Sequence, residues 1–142
     1  GGAVAGYRVL KRGAILGLLA DQDIDVDGML VPFFGVPAHT PVGPAVFALR
    51  SGAAVVPMAI HMLPGGGHRV TIMPEIEIPA ADLPEQRRIA ILTRRCSEAI
   101  ETLVRLYPQQ WVWFHDRWRR CPETLEREGG KGYLGMDGAG TG

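Results

Sequence analysis

The chain has 142 residues, 46% of them hydrophobic, with 15 basic side chains balancing 15 acidic ones, enough for one domain with a real core. Zero net charge argues against a general nucleic-acid binder, and no apolar run reaches the length of a membrane span. No stretch reads as a signal peptide. Cys96 and Cys121 fit neither a zinc spacing nor a disulfide framework, so a reduced, cytosol-facing protein is expected.

The opening GGAVAGYRVLKRG reads as the end of a helix, with Val4, Tyr7 and Leu10 on one face and Gly13 as its stop. Beginning on a half-helix without an initiator Met, the chain is expected to lack upstream sequence. Ala14 to Ala20 has the length and bounding of a buried strand. It ends on Asp21, Gln22 and Asp23, at the carboxyl edge where open α/β sheets place their ligands. A second extended run, Met29 to Phe34, stops at Gly35. Pro37, Thr40, Pro41 and Gly43 then read as a rigid turn leading into a helix that closes at Ser51-Gly52.

Ala53 to Met62 reads as another apolar strand, in which Pro57 marks a kink or an end. Pro64 to Gly67 is a tight turn, and His68 to Met73 alternates as the strand that pairs back. From Pro84 to Tyr107, Ile89, Leu92, Cys96 and Leu103 recur at helical spacing. Glu101 and Arg105 fall one turn apart on the wet face, a pair worth a few tenths of a kcal/mol. Cys96 lies on the apolar stripe and reads as core, not as a nucleophile.

Pro108 ends that helix, and Trp111, Trp113, Phe114 and Trp118 then crowd together with His115, Arg117, Arg119 and Arg120. The segment suits a closing helix with packed aromatics, an interfacial belt of aromatics and arginines, or a stacking surface for single strands. Neutral charge counts against the last. Residues 123–142 are glycine-rich and poor in apolar side chains, which predicts a disordered tail after a domain spanning 1–122.

Four histidines, His39, His61, His68 and His115, show no zinc spacing, and no serine occupies a nucleophile elbow. Asp21 and Asp23 share a side if the chain is extended there. They could hold a divalent metal or share a proton, or they could simply end a strand and cap a turn. Composition and spacing thus give an α/β domain with a polar edge; they give no mechanism and imply no cofactor.

LLADQD, then VPFFGVPAHTPVGPAVFALRSGAAVVP, then YPQQWVWFHDRWRRCP together resemble the bacterial lipid A late acyltransferases, from about Tyr7 to Pro122. That family includes phosphatidylinositol mannoside acyltransferases and belongs to the glycerolipid acyltransferase superfamily. The resemblance implies a three-layer α/β sandwich on a mostly parallel sheet, here truncated at its amino end. It implies transfer of an acyl chain from acyl carrier protein or acyl-CoA to a hydroxyl of a lipid A precursor or related glycolipid, at the cytoplasmic face of the inner membrane. The general base in such enzymes is a His followed five positions on by an acid. Here the fifth residue after each of the four histidines is Pro44, Gly66, Met73 or Arg120. The catalytic pair and an anchoring helix are therefore expected upstream, and the chain by itself is expected to be inactive. A non-catalytic lipid- or phosphate-binding module remains the alternative.

Carried over by position, Asp21, Gln22 and Asp23 match the family's strand-end block, which shapes the acceptor or orients the catalytic pair. Phe33, Phe34 and Gly35 are expected as a wall of the acyl or acceptor groove. Thr40 and Gly43 are expected to start a helix whose amino end takes a phosphate or oxyanion, with Arg8 as a further phosphate contact. Trp111, Trp113, His115, Arg117 and Trp118 are expected to face lipid.

Overall fold

The computed structural model describes residues 2–120; the expectation for residues 123–142 and Cys121 itself lie outside them. The first helix, α1 (Gly2–Lys11), is followed by an irregular stretch and then a hairpin of β1 (Gly28–Phe33) and β2 (Val36–Pro41). α2 (Gly43–Ser51) leads to a second hairpin, β3 (Met58–Met62) with β4 (His68–Ile72), and the long α3 (Glu85–Leu106) closes the regular structure. Both sheets are two-stranded and antiparallel. The class is mixed α/β, and no parallel pairing occurs among the described residues.

Ala14 to Ala20 is not a strand. It carries no regular structure, and Ile15 is 95% exposed. An apolar run supplies a face to bury but no ladder of partners, and among the described residues no strand pairs with it.

Pro37, Thr40 and Pro41, expected in a turn, lie instead in β2, and the prolines explain how. A two-residue connection, Phe34–Gly35, has positive φ at both residues (50° and 79°), the signature of a type I′ hairpin turn. Phe33 and Val36 are then the hydrogen-bonded pair beside the turn, and pairs alternate from there. Pro32↔Pro37 and Gly28↔Pro41 fall on the non-hydrogen-bonded pairs, where no N–H points at the partner strand. Three prolines fit because each lacks only a donor that would face outward.

α2 ends as expected. Gly52 adopts the left-handed conformation (φ 77°) and its N–H donates to the Ala48 carbonyl. Pro57 stands just before β3, and its carbonyl accepts the Met73 N–H at 2.9 Å, so the proline marks a strand's start. α3 lays Ile89, Leu92 and Cys96 against Met29, Val31, Val42, Ala45 and Ala48, and that cluster is the core. Ser97 on the same helix donates to the Pro32 carbonyl at 3.1 Å, an outward group of β1 that no strand reaches. Residues 111–120 form a chain of tight turns after a single 3-10 turn (Pro108–Gln110), not the expected helix.

Candidate functional site

Three segments far apart in sequence converge on Asp23. Its carboxylate is fully buried and takes Arg120 Nε at 3.0 Å, with Arg119 Nε at 3.7 Å and His39 Nδ1 at 3.3 Å. The backbone N–H of Arg120 adds a bond to Oδ2 at 3.1 Å. Asp23's own N–H donates to His115 Nε2 at 2.8 Å. His115 thus turns the lone pair of Nε2 to the Asp23 backbone. A buried carboxylate is tolerable only with such pairing, and this one has several partners.

Beside it, Arg117 is 1% exposed. Its Nη1 donates to the His39 carbonyl at 2.5 Å and its Nη2 to Thr40 Oγ1 at 2.6 Å, while the guanidinium lies 4.9 Å from the Phe33 ring centre. His39 belongs to a non-hydrogen-bonded pair of the hairpin, so its carbonyl points away from β1 and is open to this donor. Burial pulls the Arg117 pKa below its ordinary value, and the charges of Asp23 and Asp21 oppose that pull.

Asp21 is only half buried and answers to a different partner: its Oδ2 accepts the Trp111 indole N–H at 3.0 Å. The two carboxylates therefore divide, Asp23 inward onto guanidinium groups and Asp21 onto an aromatic platform. That platform is Phe33, Trp111 and Trp118, with ring centres 5.5 to 6.4 Å apart. A cleft of about 310 Å3 opens over Asp23 between Gln22, Val112, Phe114, His115, Asp116 and Arg119. Among the described residues no group of three or more His, Cys, Asp or Glu side chains has metal-holding geometry.

Several sequence expectations change here. Phe33, expected as a groove wall, is 1% exposed and packs within the aromatic cluster; Phe34 and Gly35 form the turn beyond it. Thr40 sits in β2, and its hydroxyl is engaged by Arg117 and by the Ala38 carbonyl, so it starts no helix. Gly43 does open α2, with Pro44 beside it removing one N–H from that end. Arg8 is exposed on α1, and no contact among the described residues ties it to Asp23. Arg117, expected to face lipid, is turned inward at 1% exposed, and Arg120 is 4% exposed. Trp111, His115 and Trp118 are half buried and turned to Asp21, Asp23 and Phe33, which leaves Trp113 as the one of these residues pointing outward.

His39, Arg120 and Glu101 carry contacts the sequence did not suggest. Glu101 Oε1 accepts the Phe34 N–H at 2.9 Å, across 67 positions of chain. Gly28 holds the one local clue to His39. A Cβ there would run into His39 Nε2, so only glycine admits the ring.

The family model for bacterial lipid A biosynthesis acyltransferases matches residues 6–120 of this chain. The chain belongs to that family. It is 27% identical over 109 residues to a phosphatidylinositol mannoside acyltransferase of Mycobacterium tuberculosis, covering 77% of this chain and 32% of the relative. It is 28% identical over 102 residues to the protein so named in Mycolicibacterium smegmatis, covering 71% and 31%. With the lipid A biosynthesis lauroyltransferase of Escherichia coli K12 it shares 28% over 121 residues, 83% of this chain and 38% of that one. The chain thus spans about a third of the length of these relatives.

Proposed function

We propose that this chain supplies the acceptor-side portion of an enzyme that moves a fatty acyl group from a thioester, on acyl carrier protein or coenzyme A, to a hydroxyl of a glycolipid. The acceptor oxygen attacks the thioester carbonyl, the new C–O bond forms as the C–S bond breaks, and the thiol leaves with the proton. One observation supports this reading above others. The three stretches that carry the family resemblance meet in space, Asp23 joining the first to His39 of the second and to His115, Arg119 and Arg120 of the third. Family membership makes the acyl-transfer chemistry the natural use of that junction.

A lipid A precursor and a phosphatidylinositol mannoside are both glycolipids, and relatives named for each match at similar identity. We therefore read the acceptor as a sugar hydroxyl on a membrane lipid, at the cytoplasmic face of the inner membrane. The expected parallel three-layer sandwich belongs to this proposal for the whole enzyme, in which the run from Ala14 to Ala20, irregular and largely exposed here, would pair as a strand.

Asp21 carries the test. In the acylating enzyme, Asp21→Ala is expected to lower turnover on the order of 10²–10³-fold, the size of a lost electrostatic contact in a transition state, with a small change in melting temperature. Trp111→Phe, which removes the indole donor and keeps the carboxylate, is expected to lose much less. Unchanged turnover in Asp21→Ala would make this residue a turn cap and remove it from the site.

A further inference from the structure

We propose that the loop tip Val112–Trp113–Phe114 is a membrane wedge, an apolar spur that enters the boundary between headgroups and acyl chains and holds this face of the protein on a bilayer. The inference rests on the lipid acceptor proposed above, and its test reads lipid binding, not acyl transfer.

The three residues are consecutive and 39%, 54% and 94% exposed. Their loop is held by its backbone and by one edge of Trp113, with no ring or cation contact from Phe114 among the described residues. The His115 N–H donates to the Val112 carbonyl at 3.2 Å, the Trp113 N–H to the Trp111 carbonyl at 2.9 Å, and the Trp113 indole N–H to the Pro108 carbonyl. Trp111 meets Trp113 edge-on at 4.7 Å and is itself fixed by Asp21. These contacts tie the tip down ahead of any lipid, which lowers the ordering entropy that insertion must overcome. With its indole N–H satisfied inside the loop, Trp113 offers an apolar ring outward. Phe114 has no ring or cation partner among the described residues, and a ring that contributes nothing to its own loop suits an apolar surrounding outside the protein.

Charge decides what kind of attachment this is. Arg117 and Arg120 are buried, so of the three arginines in this segment only Arg119 presents its guanidinium to solvent, and exposed Asp116 on the same cleft offsets it. A polybasic patch would be screened by salt within about a Debye length. Apolar insertion is not, and its strength follows the apolar area buried. The wedge therefore binds almost independently of ionic strength.

The test is co-sedimentation of the full chain with vesicles of phosphatidylcholine and phosphatidylglycerol at low and high salt. The parent is expected to change its partitioning less than about threefold between the two conditions. Trp113→Ser with Phe114→Ser is expected to lower it at least tenfold at both. Arg119→Gln should change it by no more than about fivefold, the share of one basic residue at such a surface. Ile60→Ser with Val70→Ser, on the exposed face of the second hairpin, serves as the comparison. As a check independent of folding, lipids brominated along the acyl chain should quench the parent's tryptophan emission and leave Trp113→Phe largely unquenched. Three results overturn the proposal: binding lost at high salt, binding lost with the hairpin variant while the tip variant keeps it, or quenching that survives Trp113→Phe. Each would give the tip to some other occupant, such as further polypeptide packed against it.

Discussion

Arg117 and Arg119 lie two residues apart in one arginine-rich segment, yet burial gives them opposite weights. Arg117 holds the His39 carbonyl and the Thr40 hydroxyl in a dry site, whereas Arg119 is 57% exposed in its contact with Asp23. Hydrogen bonds from a charged donor contribute about 1.5–3 kcal/mol each, and leaving their acceptors buried without a donor adds cost. Arg117→Gln should therefore destabilise the fold by about 2–4 kcal/mol, while Arg119→Gln should cost less than about 1 kcal/mol. Urea midpoints for the two variants check this directly. Gly28 makes a sharper case. An alanine there would press its Cβ to 2.6 Å from His39 Cε1 and 2.8 Å from the Thr40 carbonyl, so the ring must leave its place beside Asp23. Overpacking of this kind costs about 1–3 kcal/mol. Gly43→Ala, where a Cβ meets nothing within 4 Å, is the matched control and should be neutral or mildly stabilising.

At the scale of elements, the first hairpin and α3 depend on each other through the turn. Phe34 holds a φ of 50°, a left-handed conformation that costs a non-glycine residue roughly 1–2 kcal/mol. Glu101 offsets that strain by accepting the Phe34 N–H, and Arg105, paired with Glu101 at 2.9 Å, places its guanidinium 4.7 Å from the Phe34 ring centre. What spacing alone presents as a surface pair one helical turn apart is a clamp on a strained turn. Glu101→Ala should cost about 1–2 kcal/mol, and Glu98→Ala, which breaks the open pair with Arg94, less than about 0.5 kcal/mol. Denaturant titration of both would separate a clamp from a decoration; equal costs would return Glu101 to the wet face. Gln110 performs a related service for β3, its amide exchanging two hydrogen bonds with the backbone of Met62 at 2.8 and 3.0 Å as a strand would.

At the scale of the molecule, the described residues share a core that joins α2, α3 and the first hairpin, and Cys96 reports on it. Desolvation by burial pushes its thiol from 9.0 up to about 11. A raised value in the folded state means that the unfolded chain gives up its proton first. The associated stability is intact below pH 9.0 and is lost as pH rises toward 11, by as much as about 2–3 kcal/mol. The parent should therefore lose stability through that window more steeply than Cys96→Ala, measured by urea unfolding at successive pH values. Parallel curves would show that the thiol is not desolvated. The same burial predicts that thiol reagents reach Cys96 only through global opening, so its labelling rate should follow the unfolding free energy.

Sequence by itself determined the local pieces. Periodicity placed α3 within a residue or two at each end, Gly52 stopped α2, and the turn from Pro64 to Gly67 joined two strands that do pair. These features are legible because their causes, a repeating apolar face or a residue with special φ, lie within a few positions of one another. Family membership was legible too, in three stretches that lie almost wholly within the residues 6–120 matched by the family model. The tertiary structure alone decided pairing and inside from outside. Apolar content made Ala14 to Ala20 look buried, but a strand exists only with a neighbour; Pro37 and Pro41 made their stretch look like a turn, but their harmlessness depends on register. Arg117 and Arg119 are chemically identical in the sequence. Which of them is dry follows from contacts spanning 77 and 78 positions, to Thr40 and His39, and no local pattern encodes a partner at that distance.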